Sequence, residues 1–447
     1  MLTFLVAASS TTYWCEMPQQ EKSVYTFKKK LTSWLIMSEP INKNNTFKAS
    51  FIFKHFYSPK IMKALKNMLL AAGAMALLAT ACTTQQKELT QSGLDPARFD
   101  TLINDKPVKL FVLKNKTAEV CITNFGARVV SVSVPDKEGQ LRDVVLGFDN
   151  IYEYADSAHT PSDFGAAIGR YANRINKGQI TVNGKTIQLP TNNYGHCLHG
   201  GPSGWQYSIY EPVAVNDTCI TMNLVSPDGD NNFPGTVKAT VTYTLTSNNT
   251  LDMKFEATTD KETVVNMTNH SYFNLSGDPT KSGTDMVLYI NADQYTPADA
   301  TFMTTGEIAT VKGTPMDFTE PRAISTTIND TTFVPIKYGK GYDHNWVLNT
   351  YKDGKGDDTQ VAASLYSPES GIFMEVFTNE PGIQCYTGNF LNGTITGKKG
   401  IKYQERASVC LETQKFPDSP NKANFPSPWL KPGEKYYSHV AYKFSVK

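Results

Sequence analysis

One imidazole and one carboxylate stand where their surroundings make them candidates for proton transfer. His270 lies in VNMTNHSYFNLSG, residues 265–277, a stretch that reads as a buried strand running into a turn. Glu412 lies in SVCLETQKFPDSPN, residues 408–421, directly after the apolar Val409, Cys410 and Leu411. A carboxylate entering from a buried strand is costly unless it is paired or working, and burial raises its pKa. An imidazole titrates near neutrality without help. Together they offer a general acid and a general base. Taken alone, His270 reads first as a hydrogen-bonded core histidine.

Three further segments concentrate polar groups that sheet packing does not require. GAAIGRYANRINKG, residues 165–178, sets Arg170, Asn173 and Arg174 among glycines. Guanidinium and amide groups there can bind sugar hydroxyls or a carboxylate through fixed donors, although Arg174 also suits a surface ion pair. NYGHCLHGGPSGW, residues 193–205, places His199 before two glycines that let backbone approach a ligand, with Trp205 as an apolar platform for a sugar face. Either histidine there also reads as structural. YGKGYDHNWVL, residues 338–348, contributes Asp343. The chain has no P-loop, no Rossmann glycine pattern, no HExxH and no GxSxG. Proton transfer without cofactor or metal is the chemistry left.

The elements that must position these groups are strands. From Lys106 onward the apolar period is two far more often than 3.6. ARVVSVSVPD alternates Val130, Val132 and Val134 with serines, and TVKATVTYTLTSNNTLDMKFEATTD reads as two strands joined by a Ser/Asn turn. QITVNGKTIQLP predicts a hairpin with Asn183-Gly184 in a type I′ turn. Helical segments are few and short, as around NIYEYADSA. The expectation is an all-β fold, a large sandwich or barrel, forming one domain over 104–447.

Residues 1–81 carry ten lysines, no arginine and three glutamates. Of the totals of 43 basic and 42 acidic side chains, 33 and 39 remain for the rest of the chain. A mildly acidic body has no basic surplus to neutralise phosphates, which argues against nucleic acid and for a neutral substrate. Five cysteines fall in the body, with no CxxC pair and no Cys/His metal spacing, so no disulfide is demanded. MKALKNMLLAAGAMALLATAC, residues 62–82, resembles a bacterial lipoprotein signal peptide: lysines, an apolar run too short to span a bilayer, then small residues before Cys82. Ala79 stands where that pattern has leucine. On this reading 62–81 is the signal, Cys82 is lipidated, 82–103 is a tether, and the protein is periplasmic or on the cell envelope. Simple secretion and a short apolar core helix are the alternatives. Residues 1–61 are then an upstream extension outside the fold, foreign to it or disordered, with translation starting at Met62.

GAAIGRYANRI, LHGG, TNHSYFNLSG, GYDHNWVL, QCYTGNFL and LETQKFPDSPN occur in the order and spacing of the aldose 1-epimerase (galactose mutarotase) family, which residues 105–447 resemble. The resemblance implies a galactose mutarotase-like β-supersandwich, a monomer acting on sugar, with no metal or other cofactor. It implies His270 as general acid and Glu412 as general base. Asn173, Arg174, His199, Tyr272, Asp343 and Gln384 would bind the sugar, while His344 and Asn345 are structural and His159, His196 and His439 have no role. The expected mechanism sets imidazolium His270 and carboxylate Glu412 on opposite sides of a hemiacetal. Glycoside hydrolysis by Asp343 and Glu412, or a carbohydrate-binding module without turnover, would use the same residues differently.

Overall fold

Alternation of buried and open residues builds the largest sheet. A computed structural model describes residues 2–8, 11–17, 88–157 and 163–447, and in it Val237–Leu245 buries Val237, Ala239, Val241, Tyr243 and Leu245. The intervening lysine and threonines face outward. Its partner Thr250–Thr259 runs antiparallel, from Val237 opposite Thr259 to Leu245 opposite Leu251, closing the Ser/Asn turn expected there. Seven more strands extend this sheet, giving the order Glu211–Val215, Cys219–Ser226, Val237–Leu245, Thr250–Thr259, Tyr436–Val446, Ile372–Thr378, Ala363–Tyr366, Val287–Ile290 and Arg322–Ala323.

A six-stranded sheet packs against it, in the order Tyr272–Phe273, Val409–Gln414, Gly382–Tyr386, Asp343–Val347, Gln294–Thr296 and Ala309–Thr310. Val241, Met253, Phe255, Met374 and Val440 of the first sheet share one core with Trp346, Ile383, Cys385, Val409 and Leu411 of the second. The Tyr442 hydroxyl joins the layers by donating to Leu411 O at 2.8 Å. Each buried aliphatic or aromatic side chain contributes about 1.5–3 kcal/mol, so slipping a strand by one residue would be prohibitive. That constraint fixes which residues face away from the core.

A four-stranded meander, Leu110–Lys114, Glu119–Thr123, Arg128–Pro135 and Leu141–Asp143, adds Val120, Ile122, Val129 and Val132 to the same core. The hairpin Gln179–Val182 and Lys185–Gln188 turns through Asn183 and Gly184 with φ of 50° and 75°, as a type I′ turn requires. Among the described residues the α-helices are Ile151–Ala155 and Val334–Gly339, the first capped by the Asn150 side chain, and no helix is long and apolar enough to cross a membrane.

The fold begins before residue 104. Leu94 and Phe99 are buried in an aromatic cluster, Gln91 N–H donates to Glu119 Oε1 at 2.6 Å, and Thr101–Ile103 pairs with Lys106–Val108. Polar composition suggested a tether over 82–103, but two apolar anchors suffice to dock its second half. The five body cysteines are free thiols, four of them buried. Leu2–Ala8 and Thr11–Met17 pair as an antiparallel hairpin of their own, and the signal read at 62–81 and Cys82 lies outside the described residues.

Candidate active site

The Val409–Gln414 strand is buried at all six positions, so its neighbours, not solvent, define its faces. Val409 and Leu411 enter the core, and period two sends Cys410, Glu412 and Gln414 to the opposite face. Register extends this face: Glu412 pairs with Gln384, Cys410 with Tyr386 and Tyr272, and Tyr386 with Asp343. The sheet therefore presents Tyr272, Glu412, Gln384, Tyr386 and Asp343 on one side.

His270 is held from both sides of its own residue. Its N–H donates to Ala166 O and its carbonyl accepts from Gly165 N–H, each at 2.9 Å, while Asn269 Nδ2 donates to Gly165 O at 2.9 Å. Gly165 has φ of +67°, and a Cβ there would lie 1.9 Å from Val129 O, so only glycine permits the approach. The imidazole stacks on Tyr272 with ring centroids 4.9 Å apart.

Asn173 and His199 both adopt left-handed backbone, with φ of 65° and 50°. His199 N–H donates to Asn173 O, and Asn173 N–H donates to His199 Nδ1, each at 3.1 Å. A ring nitrogen that accepts a hydrogen bond carries no proton, so neutral His199 is the Nε2–H tautomer and keeps that donor. Burial, then the nearby Arg174 charge, pushes its pKa down to about 3.

His270 Nε2 stands 3.6 Å from Glu412 Oε1, and both side chains are at most 6% exposed. The acid and base thus converge on one point instead of flanking a hemiacetal from opposite sides. In a pyranose the ring oxygen and anomeric hydroxyl share one carbon, so two groups that nearly touch can address both. Burial, reinforced by Asp343 and Asp163 and opposed by Arg174, raises the Glu412 pKa well above the carboxylate range. Burial and then His199 lower His270 to about 3, against Asp163. Both shifts disfavour charge, so the free site favours a carboxylic acid beside a neutral imidazole, not the expected carboxylate and imidazolium. The two descriptions hold the same single proton.

The surrounding pocket, of about 320 Å³, is lined by Asn173, Arg174, His199, His270, Tyr272, Asp343 and Glu412, seven of the expected residues. Its size suits a small-molecule ligand. Gln384 stands one layer back: its Nε2 donates to Asp343 Oδ1 at 2.7 Å, orienting that carboxylate. Arg174 is buried, with Nε donating to Asn193 Oδ1 at 3.1 Å and the guanidinium 4.7 Å above the Phe302 ring, which excludes the surface ion pair. Trp205 is no sugar platform, because it is buried in the core against Gly169. Arg170 is also structural, bonding Ser226 Oγ and the carbonyls of Pro234 and Gly235.

His344 turns to the core side, its Nδ1 accepting from Asp343 N–H at 3.1 Å. His196 bonds Lys177 N–H and Thr301, His439 bridges Asp252 and Asp358, and His159 lies outside the described residues. Sequence reasoning missed Asp163, Tyr194 and Phe390 in the pocket lining and Phe302 at its rim. Phe390 lies inside the quoted QCYTGNFL and Tyr194 inside the quoted NYGHCLHGGPSGW; Asp163 and Phe302 sit in loops with no periodic or motif signal.

Asp163, His199 and His270 bring ligand-capable atoms within 4.8 Å of one another. A metal-bound histidine donates its other ring nitrogen to a hydrogen-bond acceptor. His199 Nδ1 instead faces a backbone N–H, so ligation by Nε2 would set two donors against each other. The trio suits hydrogen bonding to a hydroxylated ligand better than cation binding.

A family model for aldose 1-epimerase matches residues 109–443. Galactose mutarotase of Mus musculus is 39% identical over 339 residues, covering 76% of this chain and 94% of the relative. Aldose 1-epimerase of Escherichia coli K12 is 37% identical over 346 residues, covering 76% and 96%. Among solved structures, an aldose epimerase homologue from C. elegans superposes with a TM-score of 0.69 at 30% identity, covering 76% of this chain and 99% of its own. Galactose 1-epimerase from Lactobacillus acidophilus NCFM gives 0.66 at 28%, covering 77% and 97%.

Proposed function

The chain belongs to the aldose 1-epimerase family, and from its mutarotase activity we propose that Glu412 and His270 form the acid and base that interconvert α and β anomers. The observation that supports this most is the 3.6 Å approach of two buried proton-transfer groups at one wall of the pocket. Starting from carboxylate and imidazolium, Glu412 takes the proton of the anomeric hydroxyl while His270 gives one to the ring oxygen. The bond between C1 and the ring oxygen breaks, leaving an open-chain aldehyde and the neutral pair that the buried site favours. Rotation about C1–C2 presents the other carbonyl face. The same transfers in reverse close the ring, and neither side chain is consumed.

Arg174 and substrate hydroxyls stabilise the carboxylate form of Glu412 and so move the shared proton onto His270 as sugar binds. Asn173, His199 through Nε2–H, Tyr272 and Asp343 orient the ring, with Gln384 fixing Asp343. Polarimetry of freshly dissolved α-glucose or α-galactose tests this. Acceleration above the spontaneous rate is expected; saturable sugar binding with no acceleration would leave a binding module in its place.

The composition of residues 62–82 further supports a lipid anchor at Cys82 and an envelope location, where the enzyme would equilibrate sugars outside the cytoplasm. Acylated, cleaved protein in the membrane fraction is expected. Recovery of uncleaved chain from the cytosol would overturn this location.

A further inference from the structure

We propose that Asp163 is a positioning residue that acts through His270, its carboxylate setting the pH range in which the His270–Glu412 pair holds its single proton. The inference rests on the acid/base reading above and begins with backbone geometry. Asp163 opens a turn closed by Ala166 N–H donating to Asp163 O at 3.0 Å. The same turn is bonded to His270 twice, through Gly165 N–H and Ala166 O, and to Asn269 once. A carboxylate on this turn cannot drift far from the imidazole it accompanies.

Its side chain completes the placement. A carboxylate oxygen of Asp163 lies within 4.8 Å of a ring nitrogen of both His270 and His199, and Asp163 lines the pocket beside Glu412. His270 faces Glu412 from the Val409–Gln414 strand, His199 from its loop, Arg128 from the meander, and the Tyr272 and Tyr386 rings. His199 and Arg128 oppose a positive charge on His270, while Asp163 favours it. Asp163 also opposes ionisation of Glu412. Both effects act in one direction: a negative charge here strengthens proton binding by both members of the pair.

The test is the pH profile of kcat/KM for mutarotation by the full chain, corrected for the spontaneous rate at each pH. Asp163→Asn removes the charge with little change in shape, and both limbs of the profile should move to lower pH by about one unit, the lower end of the range because Asp163 is half-buried. Asp163→Glu should restore the wild-type limbs. A lower rate with unmoved limbs in Asp163→Asn would reduce Asp163 to a structural residue and overturn the inference. Glu412→Gln, assayed in parallel, separates the two levels. If it keeps the wild-type rate, the acid/base reading falls and takes this inference with it; if it is inactive while the Asp163→Asn limbs stay put, only the inference falls.

Discussion

His270, two residues before the Tyr272–Phe273 strand, and Glu412, on the adjacent Val409–Gln414 strand, face each other at 3.6 Å, each buried and each with an oxygen or nitrogen lacking a hydrogen-bond partner among the described residues. The arrangement costs stability, since buried polar atoms are ordinarily paired. Such a cost is characteristic of a working site.

The first prediction concerns rate. Glu412→Gln keeps volume and hydrogen-bonding shape but cannot exchange a proton, so mutarotation should fall by about 10²- to 10⁴-fold with far-ultraviolet circular dichroism unchanged. Wild-type polarimetric rates in this variant would remove Glu412 from the chemistry.

The second concerns stability against pH. Glu412 has a raised pKa in the folded state, so above its ordinary value of 4.5 the folded protein binds a proton that the unfolded chain has released. Relative to Glu412→Gln, the wild type should therefore lose stability as pH rises from 4.5, by about 1.4 kcal/mol per pH unit until the buried carboxyl itself ionises. His199 and His270, lowered from 6.5 to about 3, act oppositely: their contribution is complete above 6.5 and is lost as pH falls toward 3. Urea denaturation of wild type and variant between pH 5 and 9 measures the first effect, and a constant difference would contradict the raised pKa.

The third concerns the reciprocal bonds between Asn173 and His199. His199→Ala leaves the Asn173 N–H without its acceptor in a buried setting, which should cost about 1–3 kcal/mol in denaturant unfolding. The same change removes an Nε2–H donor from the pocket, so KM should rise as well. Loss of activity with unchanged stability would mean that the clamp adds nothing to the fold.

Much of this molecule is legible in its sequence, for reasons that particular residues make plain. Period two in Val237–Leu245 exposes its β character because one face meets solvent, and Asn183-Gly184 announces a turn because few residue pairs tolerate its dihedrals. The Val409–Gln414 strand has no solvent face, so its sequence could flag Glu412 as an anomaly but not show where it points. Trp205 misled because aromatic character marks a core residue and a sugar platform equally. Asp163 was invisible, since its proximity to His270 arises from backbone pairing between segments a hundred residues apart. The protonation state was hidden for the same cause: burial and the mutual placement of His199, Asp343 and Arg174 exist only in the folded chain.

The last prediction separates charge from shape at Arg174. Arg174→Lys keeps the positive charge but loses the Nε–H bond to Asn193 and the planar contact over Phe302. The lysine no longer holds a fixed fork of donors toward a sugar hydroxyl, and one hydrogen bond from a charged group contributes about 1.5–3 kcal/mol, so KM should rise by roughly tenfold or more while the limbs of the pH profile stay in place. Arg174→Met removes the charge as well. Arg174 holds the Glu412 pKa down, so its loss should raise that pKa further and move the profile to higher pH by about one unit, opposite in sign to the effect of Asp163→Asn. A lysine variant with wild-type KM would show that Arg174 serves only as a charge, and a methionine variant with an unmoved profile would show that it serves only as a shape.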